Sequence, residues 1–284
     1  MPGFPTPDRT PRGPSYEGRL LHHTDDEIVD QGAAFDLGTL LTRRRMLGVL
    51  GIGAGTALLA ACGGSSSTTA TTTTSAAVKD AADVAEIPDE TAGPYPGDGS
   101  NGPDVLQRSG IVRRDITTSL GGGAAAVGVP LTVSLKLTDI AKGAPYKNAA
   151  VYVWHCDAKG RYSMYSDGVE NETYLRGVQV ADSSGTVTFT SIFPACYPGR
   201  WPHIHFEVYP TIGDITDHTK AVATSQLALP KDVSDTVFRL SDYAGSAANL
   251  AKLSLTSDNV FSDDGAAKQL ATITGSAGAG YTAK

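Results

Sequence analysis

The chain has 284 residues, 40% of them apolar and 19% charged, with a formal net charge of -7, enough for one substantial core or two small ones. Its 23 Lys and Arg against 30 Asp and Glu provide no basic field to hold phosphates, which excludes nucleic acid as a main partner. Three cysteines are too few for a small disulfide scaffold or a four-cysteine zinc site.

In chain order, residues 1–42 are polar, Arg43-Arg44-Arg45 follows, and an apolar, glycine-rich run extends from Met46 to Ala61. The run has signal-peptide length and is shorter than the roughly 20 residues of a spanning helix. The arginine cluster resembles a twin-arginine signal and Leu59-Ala60-Ala61-Cys62 resembles a bacterial lipobox, in which the cysteine is lipidated after cleavage. Residues 1–61 are therefore expected to be an export signal, with Cys62 the lipid attachment that holds the protein to the cell membrane outside the cytoplasm. The competing reading is a buried helix behind a chance arginine triplet. The Ser/Thr-rich stretch 62–78 has no apolar pattern and reads as a flexible tether.

Residues 79–284 are expected to form a single, mostly-β domain, a β-sandwich with long loops. Leu131 to Leu137 alternates aliphatic and polar residues with the period of a half-buried strand. Further strands are predicted at Ala149 to Trp154, Leu175 to Val180, Thr186 to Thr190, His203 to Tyr209 and Ala221 to Leu229, separated by Gly, Pro, Asn, Asp and Ser clusters. Helical period is weak and confined to Val233 to Leu240 and Gly245 to Leu253. Many short strands with frequent turns favour a sandwich over a barrel.

Chemistry concentrates in Phe193-Pro-Ala-Cys196-Tyr197-Pro-Gly-Arg200-Trp-Pro-His203-Ile-His205. On a strand, residues i and i+2 share a face, so His203 and His205 present two imidazoles side by side while Ile204 points away. That suits one metal ion, although H-x-H also occurs on surface strands by chance. Tyr197 sits on a Pro/Gly loop where a phenol can be aimed inward.

With Val153-Trp-His-Cys-Asp-Ala158, Gly160, Tyr162-Ser163, Leu175-Arg-Gly-Val-Gln179 and Phe189 to Pro194, these segments resemble the intradiol ring-cleavage dioxygenases, in particular their exported bacterial branch. The likeness covers roughly Pro88 to Gly275, densest between Val151 and Phe206. It implies non-haem Fe(III) bound by Tyr162, Tyr197, His203 and His205, and hard phenolate oxygens suit ferric iron. It further implies a small aromatic diol and O2 as substrates, cleaved between the hydroxyls to a cis,cis-muconate, with Tyr197 accepting substrate protons. Arg200 matches the arginine that stabilises negative charge on the substrate, and Gln226 matches a glutamine lining the same pocket. Thr91-Ala-Gly-Pro94-Tyr95 resembles the family segment bordering the substrate; a plain turn is the alternative.

If Tyr162 and Tyr197 share one iron, as the resemblance implies, their loops approach, which makes a Cys156–Cys196 disulfide geometrically reasonable. Free buried thiols and a zinc site from two cysteines and two histidines are the competing states. The remaining tyrosines, including Tyr146, Tyr152, Tyr165, Tyr174 and Tyr209, are expected to pack, His155 to be structural, His218 to be solvated, and Arg176 and Gln179 to make structural hydrogen bonds. The rival to an enzyme is an exported β-sandwich lipoprotein that binds aromatics or metal without catalysis.

Overall fold

The computed structural model describes residues 86–284 and, upstream, the backbone of three short strands, β1 (Asp8–Thr10), β2 (Gly13–Tyr16) and β3 (Arg19–Leu20), paired antiparallel. The apolar run at Met46 to Ala61, Cys62 and the tether lie outside the described residues. Among the described residues no helix is long and apolar enough to cross a membrane.

The domain is the expected β-sandwich. One sheet joins β4 (Pro130–Lys136), β9 (Thr186–Ile192), and the C-terminal hairpin β12 (Ile273–Ser276) and β13 (Gly280–Ala283) in the order β12-β13-β4-β9. Alternation works here as predicted. Leu131 and Val133 are buried between half-buried Thr132 and Ser134, and Val133 faces Phe189 across the ladder. The pairing of β13 with β4 is parallel and was not foreseen, because Gly, Ala, Ser and Thr dominate residues 274–283 and give no alternation.

The other sheet has the order β11-β10-β7-β8, from β7 (Ala150–Trp154), β8 (Arg176–Val180), β10 (His203–Tyr209) and β11 (Ala223–Ala228). Every residue of its two central strands, β7 and β10, is buried, so both faces of this sheet are covered. On one face Ile204, Phe206 and Val208 align with Val153 and Val151 and join the hydrophobic core with Leu131, Val133 and Phe189. On the other face a single rung runs Gln226, His205, Trp154, Arg176 from edge to edge.

Residues 111–118 tie the sheets together. Arg113 N donates to Val178 O on β8, while Ile116 N donates to Thr190 O on β9. A small hairpin, β5 (Thr138–Asp139) with β6 (Ala144–Pro145), turns the chain toward β7. The two weak helical signals become α1 (Lys231–Val237) and α2 (Ser246–Leu250), shorter than the apolar pattern suggested.

Candidate metal centre

The first tyrosine loop follows β7, and its shape comes from Asp157. The Asp157 carboxylate accepts Lys159 N at 2.8 Å and Arg161 N at 3.0 Å, and its second oxygen accepts Arg161 Nη2 at 2.7 Å and the Tyr174 hydroxyl at 3.1 Å. Between them Gly160 takes φ +79°, and a Cβ there would stand 3.1 Å from Tyr197 Cβ. A side chain at this position would be strained and would press on the second loop. The turn delivers Tyr162 to the interior, 2% exposed.

The second loop is held from the helical region. Ser246 Oγ accepts Cys196 N at 3.1 Å, and Asn249 Nδ2 donates to Cys196 O at 2.8 Å. Ala195 N donates to Asp157 O at 3.2 Å, which joins the two loops directly. Tyr197 is half-buried at their junction, the most exposed of the four predicted metal ligands.

The histidines come from β10 and point from the polar face of the sheet. His203 Nδ1 donates to Trp201 O, so its Nε2 carries the lone pair toward the site. His205 is oriented by its ring instead, stacked on Trp154 with centroids 4.9 Å apart and planes 6° apart. Its Nδ1 is buried without a hydrogen-bond partner among the described residues. Gly93 backs onto this ring, since a Cβ there would lie 3.3 Å from His205 Cε1.

All four predicted ligands converge. Tyr162 Oη lies 3.4 Å from Tyr197 Oη and 3.3 Å from the Nε2 atoms of both His203 and His205; Tyr197 Oη lies 3.3 Å from His203 Nε2, and the two Nε2 atoms are 3.0 Å apart. With these five separations all between 3.0 and 3.4 Å, the four atoms cluster closely enough to surround one cation at about 2 Å, the length of a metal–nitrogen or metal–oxygen bond. Among the described residues no group of three or more His, Cys, Asp or Glu could hold a metal, so the donor set exists only when the tyrosines are counted. Two phenols and two imidazoles fit ferric iron by the hardness of their oxygens.

Burial dominates the electrostatics. It pushes the His203 imidazole down to about 3, with the Arg200 charge adding to the effect, and holds His205 well below the usual range. Both rings are therefore neutral, the form in which an imidazole can bind a metal. Burial also raises the Tyr197 phenol to about 12, against the pull of Arg200, and raises Tyr162 well above its ordinary value. A cation at their centre reverses that preference, because a coordinated acidic group ionises.

Arg200 and Gln226 also meet. Arg200 Nη2 donates to Gln226 Oε1 at 2.6 Å, and Gln226 Nε2 donates to Thr91 O at 2.9 Å. The segment with Pro94 and Tyr95 lies beside these side chains, and the Tyr95 ring packs at 4.8 Å on that of Tyr162. Its backbone is fixed by Arg176, whose guanidinium donates to Tyr95 O, Pro96 O, Tyr152 Oη, Ser163 Oγ and Ser163 O, using all five N–H groups. His155 is structural, bonded through Nδ1 to Cys156 O and through Nε2 to Ser191 Oγ, and His218 is exposed.

The proposed disulfide is corrected. Cys156 and Cys196 are free, buried thiols, because each sulfur turns to a different carbonyl, Cys156 Sγ to Ala195 O and Cys196 Sγ to Arg200 O. Sequence reasoning missed Asp258, which pairs with Arg200 Nε at 3.0 Å and has a fully buried side chain. Burial alone would raise this carboxyl, yet the Arg200 charge and the Trp201 N–H hold it below its usual range. Its position 58 residues from Arg200, in the polar run Ser257-Asp258-Asn259, offers no local signal.

A protein-family model described as Dioxygenase matches residues 100–205, a span containing all four converging side chains and Arg200. Among solved structures, an intradiol ring-cleavage dioxygenase from Tetranychus urticae is 27% identical with a TM-score of 0.51, covering 64% of this chain and 87% of its own. A second solved dioxygenase gives 26% identity and a TM-score of 0.52 over the same shares. The dioxygenase domain of a carbohydrate-binding fusion from Streptomyces sp. SirexAA-E is 25% identical with a TM-score of 0.43, covering 69% and 92% of the two chains. None of the curated proteins matches.

Proposed function

The chain belongs to the intradiol ring-cleavage dioxygenase family, and on that premise we propose that it is an exported, lipid-anchored Fe(III) enzyme that opens catechol-type aromatics between their hydroxyls. The observation that carries this reading is the convergence of Tyr162, Tyr197, His203 and His205, with five separations of 3.0–3.4 Å among their polar atoms, beside a largely buried guanidinium. Ferric iron in that donor set would bind the diol and draw electron density from the ring, so that a ring carbon reacts with O2.

The protein's own groups do the rest. Tyr162, on the loop braced by Asp157, and His203 and His205, on β10, are buried and hold the site's shape. Tyr197, half-buried on its loop, is the ligand placed to swing away and take a proton from a substrate hydroxyl at Oη. Arg200 sets a positive charge where negative charge develops on the ring. Tyr95 and Pro94 form a wall against which an aromatic ring stacks. The arginine triplet, the apolar run at Met46 to Ala61 and Cys62 support the external location.

Colour is the first test. Purified protein should be red-brown from tyrosinate-to-iron charge transfer, with a band that shifts on adding catechol. Turnover on catechol, protocatechuate, hydroxyquinol and chlorinated catechols, with product identification, should yield a muconate-type acid from at least one. Colourless protein that stays inert after iron reconstitution would overturn this reading in favour of a non-catalytic binding lipoprotein. Arg200→Ala should retain iron and colour while ring cleavage slows by about 10²-fold or more.

A further inference from the structure

Among the described residues Asp258 is the one buried carboxylate in direct contact with Arg200, and each of its oxygens accepts two hydrogen bonds. Oδ2 receives Arg200 Nε at 3.0 Å and Trp201 N at 2.7 Å, while Oδ1 receives Val260 N at 2.9 Å and Phe261 N at 3.2 Å. A carboxylate with four donors from two chain segments cannot rotate. The guanidinium it holds is fixed on two further sides. Nη2 is tied to Gln226 Oε1 at 2.6 Å, and the Phe261 ring lies 5.9 Å from the guanidinium carbon. The Phe261 backbone is itself set by Asp258, so one side chain fixes both an edge of the guanidinium and the ring beneath it.

The orientation then passes onward. Because Gln226 Oε1 accepts from Arg200, its amide must donate in the opposite direction, and it finds Thr91 O. The bond to Trp201 N lies two residues before His203, so the same carboxylate also fixes the path of the chain from Arg200 into β10.

We propose that Asp258 is a positioning residue for ring cleavage: it locks the Arg200 guanidinium in the single orientation that meets the substrate. The proposal rests on the function proposed above. A misplaced catalytic group costs on the order of 10²-fold in rate. The test is a double-mutant cycle on the iron-loaded protein with Asp258→Asn, Arg200→Ala and the pair, plus Asp258→Glu. Asp258→Asn should keep iron content and the charge-transfer band, leave KM within about two-fold, and lower kcat by about 10²-fold. Adding it to Arg200→Ala should lower kcat no further, and Asp258→Glu should recover part of the loss.

Wild-type turnover in Asp258→Asn, losses that multiply in the double variant, or a fall in kcat that merely follows iron loss would each overturn the proposal. The urea-unfolding midpoints of the same four proteins give a reading independent of activity. Non-additive midpoints show the two residues acting as a unit, and additive ones refute it. Absence of ring cleavage in the wild type would instead sink the proposed function, leaving the unfolding cycle to decide whether Asp258 governs Arg200.

Discussion

In the sheet β12-β13-β4-β9 the buried strand positions are mainly Leu131, Val133, Val187 and Phe189, whereas the sheet β11-β10-β7-β8 buries Arg176, His203, His205, Glu207 and Gln226 among its apolar residues. Both sheets contribute one apolar face to the core. Only the second has its other face covered as well, by the 88–96 segment and the two tyrosine loops. Polar groups buried there must find partners or cost free energy. Arg176 finds five neutral oxygens, and Gln226 bonds at both ends of its amide. The two histidine Nε2 atoms find each other and two phenols, an arrangement suited to a shared cation. One sheet thus supplies stability and the other supplies a site that the first must support.

Ligand substitutions test that division most severely. Tyr162→Phe and His203→Ala should abolish most iron binding, read as iron per protein by elemental analysis, while far-ultraviolet circular dichroism stays close to wild type. Phe189→Ala on the opposite sheet should do the reverse. It should lower unfolding free energy by about 3–5 kcal/mol and leave iron per folded molecule unchanged. Loss of iron in Phe189→Ala to the extent seen in Tyr162→Phe would erase the distinction between the sheets.

Smaller effects sharpen it. Arg176→Met should cost about 2–3 kcal/mol in chemical denaturation, since the carbonyls of Tyr95, Pro96 and Ser163 lose a charged donor. It should also loosen the wall beside Tyr162, which a raised KM for catechol would report. Glu90 gives the mildest prediction. Burial raises its carboxyl to about 7, against the pull of the Gln269 amide. The unfolded carboxyl titrates near 4.5, so between these values the folded chain keeps a proton that the unfolded chain has released. Stability therefore falls as pH rises through that window. Glu90→Gln should remove that slope, with a larger gain in melting temperature at pH 8 than at pH 5; equal gains at both would show that the carboxyl does not titrate there.

The strands were legible because half-buried β-structure writes its period into the chain, as Leu131 to Leu137 shows. The histidine pair was legible for the same reason, since His203 and His205 must share a face on any strand. Tyr162 and Tyr197 came from motif resemblance; loops have no period, and what aims them is Asp157, Gly160 and Ser246 acting across the chain. The parallel contact of β13 with β4 and the role of Asp258 left no trace in sequence, because both depend on segments that are distant along the chain.

The amino-acid sequence by itself determined the β class, the strand positions, the common face of the two histidines and the distinct character of the first 78 residues, all properties carried by local period and composition. Tertiary structure decided that the four predicted ligand atoms come together, that Cys156 and Cys196 face different carbonyls and stay unbonded, and that Arg200 is clamped by Asp258. Those outcomes turn on angles and distances of a few ångströms between loops, which are set by how the sheets and the segments covering them pack and are encoded in no single stretch of the chain.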